Sequence, residues 1–215
     1  MKIIKQGFII EDQIDGMEVL RKIEKAGRTC YKSEAFITDD SCMAFVKKII
    51  ASGHHSVLEH EKVTVRIICD RGVTHEIVRH RIASYSQEST RYCNYGKEGF
   101  GKEITVVKPS FWPDEQLEDG FAKYWIWHCH MARCEEAYMI LLQLGASPQE
   151  ARSVLPNSLK TEIVMTMNLR EWRHFFTLRT SKAAHPQMRE VAAPLLREFK
   201  SLIPIVFDDI SDALT

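Results

Sequence analysis

Residues 79–92 read Arg79-His80-Arg81-Ile82-Ala83-Ser84-Tyr85-Ser86-Gln87-Glu88-Ser89-Thr90-Arg91-Tyr92. Three arginines and a histidine share this run with three serines, a threonine, a glutamine and a glutamate. Guanidinium groups are planar forks that match phosphate and carboxylate geometry, and hydroxyls and backbone amides complete such a cradle. A segment with so many donors and so little apolar content is poor core material. It suits an anionic, hydrogen-bond-rich ligand such as a nucleotide, although a solvated basic helix end is the plainer reading of any arginine-rich run. Tyr85 and Tyr92 flank the serines and offer faces on which a ring can stack.

Working outward, Val63-Thr64-Val65-Arg66-Ile67-Ile68-Cys69 alternates with β-branched residues and reads as a strand over 62–69. A short helix leads from it toward Arg79, and the basic segment then follows as a loop, hung from a rigid element. Upstream, Ile14, Met17, Leu20 and Ile23 have helical spacing over 14–26. A second helix starts near Asp39-Asp40-Ser41 and stops at Gly53. Downstream, residues 94–102 read as loop and Ile104-Thr105-Val106-Val107 as a short strand. The longest helix spans about Glu118 to Leu144, ended by Gly145. Its aromatic load (Phe121, Tyr124, Trp125, Trp127, Tyr138) exceeds what one face can hide, which implies burial on several sides or a subunit interface.

Ser147-Pro148-Gln149-Glu150 is a capping box with proline at the first helical position, and it opens a short helix carrying Arg152. Residues 162–167 read as a strand. Asn168 with Glu171 is a second capping pair, opening a helix through Thr180 on which Arg170 and His174 share a face. The last helix runs from about Pro186 to Leu202. Strands interspersed with helices, without regular βαβ alternation and without GxGxxG, predict an α+β fold in a single domain over 1–215.

Composition narrows the function. Apolar content of 45% and charged content of 27% are those of a soluble globular chain. At 215 residues it is long enough to bury about 70% of its unfolded surface. With 29 basic and 29 acidic residues the net charge is zero, which argues against a nucleic-acid partner and for arginines gathered on a small anion. No apolar run approaches the ~20 residues of a membrane span, and no sustained signal-peptide core follows Met1, so a cytoplasmic protein is expected. The six cysteines show no paired close spacing, as expected of reduced thiols.

Arg79-His80-Arg81, seven residues, then Ser89-Thr90-Arg91 resembles the signature of the flavin-dependent thymidylate synthases. Three further blocks match in order: Gly53-His54-His55-Ser56-Val57-Leu58-Glu59-His60, Ala151-Arg152-Ser153-Val154-Leu155-Pro156, and Asn168-Leu169-Arg170 followed by His174 and Arg179. The match covers roughly residues 50 to 190. The resemblance implies a methyltransferase that converts dUMP to dTMP, with methylenetetrahydrofolate as carbon donor and NADPH-reduced FAD as reductant. It implies that family's fold, a central and mostly antiparallel sheet packed with helices, in a homotetramer with sites at subunit interfaces. It also implies site roles. Glu76, Arg79, Gln87, Glu88, Ser89, Thr90, Arg91, Arg152 and Arg179 would hold dUMP. Ser56, Arg79, His80, Arg81, Gln87, Asn168, Arg170 and His174 would hold FAD, with Glu59 a weaker neighbour. Arg179 would be catalytic, its cation stabilising negative charge as the uracil imide ionises. The family attaches no cysteine to the substrate ring, and none of the six cysteines falls in a matched block.

Two stretches depart from the family pattern. Ser86-Gln87 stands where members carry Asn-Glu, with Glu88 displaced by one. Glu76 stands where Gln is frequent, and a carboxylate beside a phosphate is repulsive unless protonated or turned away. Ser89 could be read as a nucleophile, but no base is placed beside it by sequence, and phosphate binding is the better fit. No metal is expected. His75-Glu76-Ile77-Val78-Arg79-His80 is one residue too long for the HExxH pattern, and His128, His130 and Cys134 lack the paired spacing of structural zinc. A non-catalytic nucleotide-binding regulator and a zinc-dependent nucleotide enzyme are the competing classes.

Overall fold

The computed structural model describes residues 1–112 and 118–211, without the side chains of 118–121, so the side chain of Phe121 lies outside what is described. The strands are β1 (Lys2–Ile4), β2 (Gly7–Ile10), β3 (Lys62–Asp70), β4 (Ala83–Gln87), β5 (Thr105–Val107) and β6 (Lys160–Asn168). The helices are α1 (Gly16–Thr29), α2 (Ser41–Ala51), α3 (Arg71–Ile77), α4 (Glu118–Gln143), α5 (Pro148–Ala151), α6 (Leu169–Arg179) and α7 (Pro186–Leu202). Strands β2-β3-β6-β4 form a four-stranded antiparallel sheet in that order, and β1 pairs in parallel with β5 with Ile3 opposite Val106. The α+β expectation holds.

Both central strands follow their sequence period. Val63, Val65, Ile67 and Cys69 of β3 are buried, as are Thr161, Ile163, Met165 and Met167 of β6, each alternating with less buried neighbours. Two short N-terminal strands, β1 and β2, were not legible in the sequence. The signature segment is also not all loop, because Ala83–Gln87 is a strand with Ala83, Tyr85 and Gln87 half-buried and Ser84 and Ser86 exposed.

The chain resolves into two compact units. The first comprises Met1–Gly7, Ile67–Arg79 and Ser86–Ile163. Its core gathers Tyr95, Ile104, Val106, Trp127, Met131, Tyr138, Ala151 and Leu159. Trp127 and Tyr138 of α4 are buried there, whereas Trp125 and Ile126 are exposed, so the helix hides only part of its aromatic load. Gly145 ends this helix at φ +90°, a left-handed conformation that glycine adopts without a Cβ penalty. The Ser147 capping box forms as expected: Glu150 Oε2 accepts from the Ser147 backbone N–H at 2.8 Å and from its hydroxyl at 2.6 Å.

The second unit comprises Phe8–Arg66, His80–Tyr85 and Val164–Thr215. Asp15 caps α1 by accepting from the N–H groups of Met17 and Glu18 at 2.9 and 3.1 Å. Gly16 is obligatory there, since a Cβ would stand 2.2 Å from the Leu202 carbonyl oxygen at the end of α7. The core is aromatic. Trp172, Phe175 and Phe176 of α6 pack with Phe199 of α7 and with Phe207, at centroid separations of 4.9 to 5.7 Å. All six cysteines are free thiols, and burial pushes the Cys69 thiol up, away from thiolate chemistry. No helix among the described residues is long and apolar enough to cross a membrane.

Candidate active site

In the second unit the site is organised by α6. Asn168 caps it by accepting from the Glu171 N–H at 2.9 Å, and the Leu169 N–H donates to the Glu61 carbonyl at 3.0 Å. Residues 171, 174, 175 and 179 then repeat at helical spacing along one face. That face meets His80, which is 3% exposed. His80 Nδ1 lies 3.1 Å from a Glu171 carboxylate oxygen, and Arg179 Nε–H donates to His80 Nε2 at 3.1 Å. The ring packs against Phe175 at 5.0 Å between centroids and edge-on to His174 at 5.5 Å. Tyr85 donates its hydroxyl to the His80 carbonyl at 2.6 Å.

The electrostatics agree with the geometry. Burial, reinforced by the Arg179 charge, holds the His80 imidazole below its ordinary range, with Glu171 opposing, so the ring is neutral. Burial and the Glu171 charge push the Tyr85 phenol up to about 12, which keeps it a donor. His55 is also held low, first by burial and then by Arg173. An unfolded histidine titrates near 6.5 and these two titrate lower, so the unfolded chain takes up protons first as pH falls. Their contribution to stability is complete above about 6.5 and is lost as pH drops through the lowered folded values. Thermal midpoints are expected to be level from pH 8 to 7 and to fall between 6.5 and 5. The fall should be shallower in His80→Gln, and equal slopes in both proteins would refute the assignment to His80.

The other FAD-assigned residues of this unit are on the surface. Ser56 is exposed on the 3₁₀ turn His55–His60, and Arg81 and His174 are exposed. Arg170 pairs with Glu59 at 2.5 Å, both partners well exposed, so the pair contributes little to stability. Glu171 is the residue that sequence reading missed. The Asn168–Glu171 pattern suggested a reciprocal cap, but the carboxylate turns to His80 instead.

In the first unit, Glu76 is half-buried in the last turn of α3 and Arg79 is exposed two residues beyond it. Gln87 donates its amide N–H groups to the hydroxyls of Thr74 at 3.2 Å and Thr161 at 3.4 Å. Glu88 is held within the fold: its two oxygens accept from the Tyr95 hydroxyl at 2.9 Å and the Lys160 ammonium at 3.0 Å. Thr90 is buried, and the Ser89 hydroxyl accepts from the Arg91 N–H at 3.3 Å. Arg91 is exposed, with Nε donating to Gln149 of α5 at 3.1 Å and its guanidinium 5.3 Å from the Tyr92 ring. Arg152 follows α5 directly, exposed in the turn Arg152–Val154. The dUMP-assigned residues thus belong to the first unit, Arg179 excepted. The FAD-assigned residues belong to the second, Arg79 and Gln87 excepted.

His130 and Cys134 contact each other one helical turn apart, at 3.7 Å. Among the described residues, the three-ligand group with metal-like spacing is instead His80, Glu171 and His174, whose ligand atoms lie within 4.8 Å of one another. The always-charged Arg179 on the other nitrogen of His80 is a poor neighbour for a divalent cation, and hydrogen bonding accounts for the cluster.

The chain is 38% identical over 191 residues to the flavin-dependent thymidylate synthase of Geobacter sulfurreducens, covering 86% of this chain and 78% of that one. It is 38% identical over 182 residues to the Pyrococcus abyssi protein of the same name, covering 82% and 72%. It is 36% identical over 203 residues to that of Mycobacterium avium, covering 89% and 79%. Among solved structures, the UMP/dUMP methylase PolB of Streptomyces cacaoi bound with 5-Br dUMP superposes with a TM-score of 0.80 over 97% of this chain and 96% of that one. At 22% identity it shows a shared fold. The model of the Thy1 family, described as thymidylate synthase complementing protein, matches residues 14–205, and the chain belongs to that family.

Proposed function

We propose that this protein is a flavin-dependent thymidylate synthase, converting dUMP to dTMP with methylenetetrahydrofolate as carbon donor and NADPH as the source of reducing equivalents. The observation that carries the reading is the run of the family match through residues 14–205, which takes in every assigned site residue. The same run, spanning parts of both compact units, supports one functional domain over 1–215.

The donor set fits FAD. Arg81 and Arg170 supply cations, Ser56 a hydroxyl and His174 an imidazole, all exposed in the second unit, as a pyrophosphate-bearing ligand requires. FAD, when bound and reduced, supplies the electrons that convert the transferred carbon to a methyl group. In the first unit Arg79, Arg91 and Arg152 grip the dUMP phosphate, helped by the Ser89 hydroxyl and the Thr90 segment. Gln87 sets a neutral amide, tied to Thr74 and Thr161, where family members carry a carboxylate, and Glu88 serves mainly to hold the turn through Tyr95 and Lys160. Arg179 stabilises the anion that forms when the uracil imide ionises, which makes carbon 5 nucleophilic toward the one-carbon donor. A homotetramer with sites completed between subunits agrees with the exposed Trp125, Ile126, Ile140 and Leu144 of the α4 region, and six free thiols agree with a reducing cytoplasm.

The test is dTMP formation from dUMP with NADPH, FAD and methylenetetrahydrofolate, each omitted in turn. Product that persists without flavin, or none with all present, would sink the reading. Arg91→Ala is expected to weaken dUMP binding by roughly tenfold, the scale of one charge-assisted contact, read by titrating the flavin spectrum. Unaltered affinity would remove Arg91 from the phosphate site.

A further inference from the structure

We propose that Glu171 is a positioning residue that acts through His80 to fix the guanidinium of Arg179 in the orientation the reaction needs. This rests on the role given to Arg179 above. The inference begins with a donor that has no choice. Arg179 Nε carries a hydrogen at every accessible pH, so His80 Nε2, 3.1 Å away, must present its lone pair. The single proton of the neutral ring therefore sits on Nδ1, where it meets the Glu171 carboxylate at 3.1 Å. Which nitrogen of an imidazole is protonated is set by the bond the other one makes. Glu171 thus stabilises, from the far side of the ring, the tautomer that accepts from Arg179.

The supports of this relay are rigid. Glu171 stands in the first turn of α6, its N–H held by Asn168, where a carboxylate is favoured by the helix dipole. Its side chain is 12% exposed and that of His80 2%. Phe175 fixes the plane of the imidazole, and Tyr85 holds its backbone carbonyl. The titratable groups facing the ring are Glu171, His174 and Arg179 of α6 and Tyr85 of β4.

Interposing an imidazole has a physical logic. A neutral ring holds the Nε side of the fork without adding a charge of its own beside an anionic reacting group. The carboxylate stays one ring away, where it biases a proton and not the substrate.

The experiment uses ¹⁵N-histidine-labelled full-length protein, with the His80 signals identified by their loss in His80→Gln. At pH 7.5 the wild type should show protonated Nδ1 and bare Nε2. Glu171→Leu, of similar size, takes the acceptor away from Nδ1–H, so the buried ring loses the gain of that tautomer and part of it carries its proton on Nε2, donor against donor. Its spectrum should show that shift, and its kcat should fall ten- to a hundredfold, the scale typical of partners that orient a ligating histidine. The KM for dUMP and the flavin content should stay within twofold. Glu171→Asp, which keeps an accepting carboxylate, should restore the wild-type tautomer and part of the turnover.

A wild-type spectrum with Nε2 protonated overturns the proposal outright, and it needs no variant and no activity. An unshifted tautomer in Glu171→Leu, or a shifted one with kcat within twofold, overturns it as well. Absence of dTMP from the wild type would instead condemn the functional reading, and the two spectra alone would then decide whether Glu171 sets the His80 tautomer.

Discussion

Arg179→Ala is expected to lower turnover by on the order of a hundredfold or more while the protein still binds FAD. Removing one preorganised charge from a developing anion typically costs about 3–4 kcal/mol of transition-state stabilisation. Arg179 closes α6, where a cation gains a few tenths of a kcal/mol from the helix dipole, and its bond to His80 adds roughly 1 kcal/mol. A loss confined to chemistry would therefore appear in kcat, with flavin content and melting point little changed. The direct readout is release of tritium from carbon 5 of dUMP, and release at the wild-type rate would remove Arg179 from the chemistry. Arg179→Lys separates charge from shape. An ammonium keeps the cation but cannot hold the same plane against His80 Nε2, so partial activity is expected from it.

The parts of this site that the sequence made legible are those set by local rules. Asn168 three residues before Glu171 predicts a helix start, and Asn168 does cap α6. Spacing of four puts Arg170 and His174 on one face, and both are exposed. What escaped is long-range and polar. Nothing near Glu171 announces a partner 91 positions away, and the same acid fits a local capping box equally well. Glu88 looked like a ligand contact within a donor-rich run, yet Lys160, 72 positions on, takes one of its oxygens. Strand β4 hid for a related reason. Its half-buried positions, Ala83, Tyr85 and Gln87, alternate with serines, so the period of two carries almost no hydrophobic contrast. Strands β1 and β2 have three and four residues, too few to show a period at all.

Trp172→Ala is expected to destabilise the fold by about 3–5 kcal/mol, the largest stability effect of any single change considered for this chain. The indole is fully buried in α6, with Phe199 at 4.9 Å, Phe175 at 5.4 Å and Phe176 at 5.5 Å between ring centroids. Truncation leaves a cavity among stiff rings that cannot collapse into it, which places the cost toward the upper end of the range. It also strips the partner from the Val63 carbonyl of β3, to which Trp172 Nε1–H donates at 3.0 Å. Trp172→Phe divides the two terms, since it keeps most of the apolar volume and loses the donor, and it should cost roughly 1–2 kcal/mol. Urea unfolding of the three proteins at one concentration measures both differences, and a loss below about 1 kcal/mol in the alanine variant would show that the aromatic cluster does not anchor α6. The consequence for activity is specific. Trp172 faces the core, while Glu171, His174 and Arg179 share the face turned to His80, so the same helix carries the anchor and the relay. Trp172→Phe should then leave the Glu171–His80–Arg179 geometry intact, and its dTMP output should follow the folded fraction, with kcat per folded molecule unchanged.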